Sequence, residues 1–429
     1  MDPDRTSVFY GVKRQLRRGR SEDFVTQFFR LAGYNGLAAL LMVFLHVVMA
    51  RLLGPAQYAE YGVFIAIILT FLVAATSIQL IITRFVSYHE TRYQHEQVNY
   101  LVTKSLKWAF FFGLFLFVLI IFLAGPISEF FHLPNLAATI LLGFVLWFTI
   151  MQPVFEGAFR GLEKFSALGR LRLTEAATRF ALVITLVVAG FSVAGAVFGL
   201  GLGTFAALAI SYKHIYRVQR LKAVAPSMRN VRRYALPVAL AMVSFAVLFN
   251  IDLILVKHYF SATDAGVFAA ASFLAKIPVF TSLVFVGVLF PRVSRMHSNG
   301  KNSAPLLKNV LVVLALLTGV LTLAAFFFAQ PLLTTIFGAE YAIGPVLGFY
   351  VFAMSMLAIS IILITYLLAV RKDRAAFALP LFAVLLTGLL VLFHASTTQV
   401  ILVVMFALSA LAAYAVYMAR EVLEFDYFL

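Results

Sequence analysis

The chain is a succession of apolar runs of about 20 residues separated by short polar stretches, and a run of that length crosses about 30 Å of hydrocarbon as a helix. Twelve spans are expected, at 30–50, 61–82, 107–125, 137–156, 173–191, 193–213, 234–256, 266–290, 309–329, 345–370, 375–393 and 398–418. The runs are continuously apolar rather than alternating. They therefore predict helices, which satisfy their backbone groups internally, and not the segments of about ten alternating residues that build a transmembrane barrel. The fold class expected is all-α and integral to the membrane.

Composition sharpens this reading. Of 429 residues 63% are hydrophobic and 12% charged, with a mean hydropathy of +0.98, whereas a soluble domain carries about a quarter charged residues. The formal charge of +16 would point to nucleic acid in a soluble protein, but its placement points to topology. Lys and Arg gather in alternate loops: Arg92, Lys104 and Lys107; Arg160, Lys164, Arg170 and Arg172; Lys213 to Arg233; Arg292 to Lys308; Arg371 to Arg374. The intervening loops hold Arg51 and Lys257. The positive-inside rule makes the basic end cytoplasmic, with both termini on that side, and leaves no need for a nucleic-acid partner.

The expected organisation is a basic cytoplasmic arm (1–29), a six-span half (30–213), a basic linker (214–233), a second six-span half (234–418) and a cytoplasmic tail (419–429). The arm lacks the apolar core and cleavage site of a signal peptide. The halves echo each other. Glu60, Tyr61, Gly62, Val63 and Phe64 match Asp264, Ala265, Gly266, Val267 and Phe268 at an offset of 204, and Ala124, Gly125 and Pro126 match Ala329, Gln330 and Pro331 at 205. Six spans is an even number, so the copies share an orientation and are related by an axis along the membrane normal, as in carriers that bind substrate between parallel repeats.

Nothing fits a nucleotide or zinc engine. The Gly300-Lys301 pair lacks the remaining P-loop residues, no HExxH occurs, and there is no cysteine. The expectation is a non-enzyme without cofactor or metal. Gly195, Gly199 and Gly203 recur every four residues, a spacing that lets helices approach closely.

Charges inside the spans are the functional candidates, because each costs about 2.5–3.5 kcal/mol at a helix centre unless it faces an interior or a cavity. Asp252 and Lys276 lie within spans seven and eight and are expected either to neutralise each other or to divide, with Lys276 facing water and Asp252 titrating. Their counterparts in the first half are Val48 and Leu72. Arg30, Arg84 and Arg179 stand near the basic ends of their spans. Glu156 with Arg160, and Glu175 with Arg179, are four apart and expected to pair. His46 is a candidate proton-sensitive group, and Pro278 and Pro380 are candidate hinges.

Five segments carry a family likeness: ARLLGPAQYAEYGVF (50–64), FRGLEKFSALGRLRL (159–173), NIDLILVKHYFSATDAGVFAAA (250–271), LFPRVSRM (289–296) and TIFGAEY (335–341). In their order and spacing they resemble the bacterial polysaccharide transporter family, lipid-linked oligosaccharide flippases of the multidrug/oligosaccharidyl-lipid/polysaccharide exporter superfamily. The resemblance implies a two-lobed, MATE-like fold of twelve helices with a central cleft. It also implies movement of undecaprenyl-diphosphate-linked glycan between leaflets of the bacterial inner membrane by alternating access. A cationic cleft would receive the diphosphate, and Lys276, Arg30, Arg84 and Arg179 are the residues onto which that role carries. Asp252, Glu156, Glu175 and His46 become ion-coupling candidates. The partners implied are the lipid-linked glycan, membrane lipids, and a glycan polymerase or glycosyltransferases. The rival readings are a multidrug or metabolite exporter of the same superfamily and a non-transporting subunit of a glycan assembly complex.

Overall fold

The computed structural model describes the backbone of residues 4–219, 223–225, 228–298, 301–342, 344, 346–370, 372 and 377–424. The side chains of the expected basic arm, and most of the 214–233 linker and the 419–429 tail, lie outside the described residues.

The described residues are almost entirely helical. In chain order the helices are α1 (Asp4–Glu90), α2 (His95–Phe130), α3 (Leu136–Gly161), α4 (Phe165–Leu186), α5 (Ser192–Gln219) and α6 (Met228–Tyr259). Then come α7 (Ala262–Ala275), α8 (Ile277–Ser298), α9 (Ala304–Ile336), α10 (Val346–Ala369), α11 (Leu379–Leu392) and α12 (Thr397–Glu424). Twelve spans map onto them once three breaks are read. The first two spans form α1 and part at Gly54, whose φ of 68° is open to glycine at no steric cost. Spans five and six are α4 and α5, separated by a π-helical stretch, Val187–Phe191, in which Gly190 has φ 93°. Span eight is α7 and α8, interrupted at Lys276.

That last break has a local cause. Pro278 has no backbone N–H and its ring crowds the preceding turn, so α7 closes with Lys276 as its C-cap and α8 begins afresh. Pro380 behaves differently from the expectation for it. It stands in the first turn of α11, where the missing N–H costs no hydrogen bond, so it opens a helix instead of bending one.

The small residues on α5 pack as their spacing predicts. A Cβ on Gly199 would meet the Val183 backbone at 2.8 Å and one on Gly203 the Arg179 backbone at 2.8 Å, so α4 and α5 are in backbone contact. The two echoed glycines meet opposite halves. A Cβ on Gly62 would lie 2.9 Å from the Ala269 Cβ, and one on Gly266 would collide with the Pro55 carbonyl. Accordingly α1 packs both on α3 and α4 of its own half and on α6 and α7 of the other. The seam continues through Tyr58, Phe337 and Tyr341, whose rings lie about 6 Å apart, and the Tyr341 hydroxyl donates to the Ala50 carbonyl at 2.8 Å. These contacts gather at the end poor in Lys and Arg, here termed the sparse end.

Candidate functional site

Helical periodicity assembles a charged cluster in the first half. Gln152, Glu156 and Arg160 follow one another at four-residue intervals on α3, and Arg172, Glu175 and Arg179 at three and four on α4, so each set occupies one face. The two faces meet. Arg172 grips Glu156 with both ends of its guanidinium, Nη2 donating to Oε2 at 2.7 Å and Nε to Oε1 at 3.2 Å. Arg160 lies further off, 3.8 Å from Oε2. Gln152 Nε2 donates to Glu156 at 3.2 Å and to Glu175 at 2.8 Å, bridging the carboxylates. Arg179 pairs with Glu175 at 2.8 Å and donates twice to Thr204 Oγ1 on α5, an approach that the absence of a side chain on Gly203 permits.

The bookkeeping of charge is two carboxylates against three guanidiniums. Their exposure differs: the Glu156 side chain is 7% exposed, those of Arg172 and Arg160 33% and 38%. The acid is hidden behind the cations, and the surface on offer is positive. Asn35 of α1 accepts from Arg172 at 3.5 Å, which draws the first helix to the cluster. Gln152 Oε1 and Arg160 Nε are buried without a partner, and an unmet buried polar atom costs about 1–3 kcal/mol.

A second cluster, in the other half, is closed. Asp252 on α6 and Lys276 at the α7–α8 break are 1% and 6% exposed in their side chains, with Nζ 3.9 Å from Oδ1. Nζ also donates to Asn250 Oδ1 at 3.3 Å and lies 4.8 Å from the centre of the Phe249 ring. Tyr350 of α10 donates its hydroxyl hydrogen to Asp252 Oδ2, with Ser272 Oγ 2.9 Å away. The expectation that Lys276 faces an aqueous cleft does not match this state, in which pairing with Asp252 and Asn250 encloses the amine.

The remaining candidates scatter. Arg84 is exposed with its guanidinium 5.9 Å from the Phe85 ring. Arg30 is exposed one turn before Tyr34, which fills the space over Gly169 of α4. His46 reaches the Tyr58 hydroxyl at 3.4 Å and packs on Phe273 across the seam, a packing position between the halves. Sequence reasoning placed Arg172 among loop charges and passed over Gln152, Thr204 and Tyr350. The 3.6-residue recurrence of polar side chains through 152–179 was the available signal.

Comparison with known proteins decides the family. Residues 24–297 match the model of the family described as "Polysaccharide biosynthesis protein". The chain belongs to this family. Among curated proteins it is 26% identical over 179 residues to the succinoglycan biosynthesis transport protein ExoT of Rhizobium meliloti (strain 1021), an alignment covering 41% of this chain and 34% of that one. The chain thus spans about a third of that relative's length. Among solved structures it superposes on an inward-facing MATE multidrug resistance transporter of the MOP superfamily with a TM-score of 0.74 at 12% identity, covering 91% of this chain and 96% of that one. An outward-facing MATE transporter gives 0.64 at 13% identity, covering 94% and 97%. A MOP superfamily transporter from Pyrococcus furiosus, described by a reverse polarity of its binding pocket, gives 0.64 at 12% identity, covering 92% and 95%. This family member is therefore a multi-pass membrane protein of MATE-like, two-lobed, all-α fold.

Proposed function

We propose that this protein moves polyprenyl-diphosphate-linked oligosaccharide from the cytoplasmic to the outer leaflet of a bacterial inner membrane by alternating access, with both termini cytoplasmic. The observation that carries the reading is the first-half cluster, where partly exposed guanidiniums of Arg172 and Arg160 stand in front of a buried Glu156. A diphosphate presents oxygens in the geometry that guanidinium forks match. Arg160 suits first contact because its tie to Glu156 is long and its Nε lacks a partner. Arg30 and Arg84, both exposed near the basic end, would draw the headgroup inward, and Arg179, held by Glu175 and Thr204, would set the positive potential behind it. Asp252 and Lys276 are assigned to modulation, since a sealed pair responds to a proton or an ion without touching the cargo.

Two further facts support the reading. The halves are joined at the sparse end, which favours a cleft opening towards the basic end, and the likeness is higher to the inward-facing MATE transporter than to the outward-facing one. The organisation expected from the sequence, with the two six-span halves meeting at the 214–233 linker, is retained as part of the proposal.

The test is a reconstituted vesicle assay that follows appearance of a fluorescent polyprenyl-diphosphate oligosaccharide in the opposite leaflet. Losing a charge-assisted contact worth about 1.5–3 kcal/mol slows transfer by about tenfold or more, so Arg160→Gln and Arg172→Gln are each expected to lower the rate at least that much with little effect on assembly of the Arg160 variant. An unchanged rate in both variants, or equal transport of a cationic amphiphile that competes with the lipid-linked sugar, overturns the reading in favour of a multidrug exporter.

A further inference from the structure

The sparse end is poor in cations, yet it holds Arg51 and Lys257, and both reach across to the opposite half. Arg51, after the first span, donates Nε to the Ile336 carbonyl at 3.1 Å and Nη2 to the Thr335 carbonyl. Thr335 and Ile336 are the last residues of α9. Lys257, at the end of α6, donates Nζ to the Phe131 carbonyl at 2.8 Å, and His258 Nδ1 lies 2.6 Å from the Phe130 carbonyl. Phe130 ends α2 and Phe131 caps it.

The arrangement is reciprocal and follows the internal duplication. Lys257 comes 206 residues after Arg51, and Ile336 comes 205 after Phe131, close to the offsets that relate the two halves. A cation closing span one caps the helix of span nine, and a cation closing span seven caps the helix of span three. Helix C-termini leave four carbonyls without partners and carry the negative end of the helix dipole, so each end is a natural receptor for a cation.

We infer that Arg51 and Lys257 are the two gating residues that hold the sparse end shut, and that opening towards that side requires both to leave their carbonyls. The inference rests on the alternating-access reading above. The chemistry suits a contact that must break in each cycle. The hydrogen-bond acceptors are neutral carbonyls, which water solvates once the halves part; Lys257 is buried while the contact is closed, and the carboxylate that acts on it, Glu60, is only half-buried and contributes charge without a direct ion pair. A carboxylate in the same place would bind more tightly and reopen at greater cost. The Tyr341 hydroxyl bonds to Ala50, the residue before Arg51, and Pro55, four residues after Arg51, meets Gly266, so loosening Arg51 bears directly on the packed seam.

The chain has no cysteine, so spin labels on Glu129→Cys and Thr263→Cys, exposed sparse-end sites on opposite halves, report their separation by pulsed electron resonance in vesicles without cargo. Arg51→Gln is expected to raise the long-distance population about tenfold relative to the short one, Lys257→Gln the same, and the two together about a hundredfold. Arg51→Lys, which keeps a cation, is expected to restore part of the short-distance population. The Arg51 side chain is exposed, so its variant tests the gate without disturbing a buried site. An unchanged distance distribution in the double variant overturns the gate whatever the cargo. Widened distances with undiminished opening and no transfer of lipid-linked sugar keep the gate and overturn the cargo assignment instead.

Discussion

The two halves repeat one scaffold and fill it with opposite chemistry. The first half holds two glutamates and three arginines in a chain of contacts that reaches an exposed positive face. The second holds one aspartate and one lysine, enclosed on every side by Asn250, Phe249, Ser272 and Tyr350. Where one half is charged the other is apolar: Val48 and Leu72 stand opposite Asp252 and Lys276, and Ile361 and Val384 follow Glu156 and Arg179 by 205 residues. The halves keep the close-approach glycine at 62 and 266, each packed against the opposite half, and differ at the polar sites. The difference also separates two kinds of cation. The first half presents planar guanidinium forks and the second a compact ammonium on a flexible stem, so one cluster offers donors to an outside oxygen and the other keeps its cation for its own carboxylate.

The largest effect that would break this comparison is at Glu156. Glu156→Ala strands Arg172 and Arg160; removing one partner of a fully buried pair costs about 3–5 kcal/mol, and because water reaches the two guanidiniums, 33% and 38% exposed, the cost expected here is at the lower end, about 3 kcal/mol. Thermal or denaturant unfolding in detergent is expected to show a loss of that order, and a loss below about 1 kcal/mol would mean that the cluster is solvated well enough to be a surface feature.

How much of this was legible in the sequence depends on which kind of spacing carried it. The spans, the close α4–α5 contact through Gly199 and Gly203, and the pairing of Glu175 with Arg179 were all local patterns at helical intervals, and such intervals survive folding. Arg172 was not legible, because its partner Glu156 lies on the preceding helix and its own neighbours on the chain are Lys and Arg, which made it look like a loop charge. Tyr350 is 98 residues from Asp252 and offers nothing on its own helix that marks it. The function of Arg51 and Lys257 was hidden by the rule that located them: they read as exceptions to a charge asymmetry, and their acceptors are backbone carbonyls that no side-chain pattern records.

A middle-sized effect sharpens the contrast. Tyr350→Phe deletes the hydroxyl that donates to Asp252, and a hydrogen bond to a charged group contributes about 1.5–3 kcal/mol. The expected loss lies in that range, and it is expected to shrink to about 0.5–1.5 kcal/mol when the same change is made on Asp252→Asn, since the acceptor is then neutral. A double-mutant cycle reads this directly. Additive losses would show that the Tyr350 hydroxyl acts through Ser272, 2.9 Å away, and not through the carboxylate.

The smallest expected change in stability is the most informative about function. Replacing a buried ion pair by apolar residues of similar volume is often neutral or stabilising by about 1–4 kcal/mol, because neither charge then has to be desolvated. Asp252→Leu with Lys276→Met is therefore expected to unfold within about 1 kcal/mol of the parent or slightly above it. The equivalent exchange in the first half has no such solution, since replacing Glu156 and Arg172 together still leaves Arg160 without its carboxylate. If the apolar second-half variant is stable and also transports at the parent rate, the pair is architectural and the break at Lys276 is set by Pro278 alone. If it is stable and transport is lost, the charged pair of Lys276 and Asp252 is what the second half contributes, and the cations of the first half are left as the part that holds the cargo.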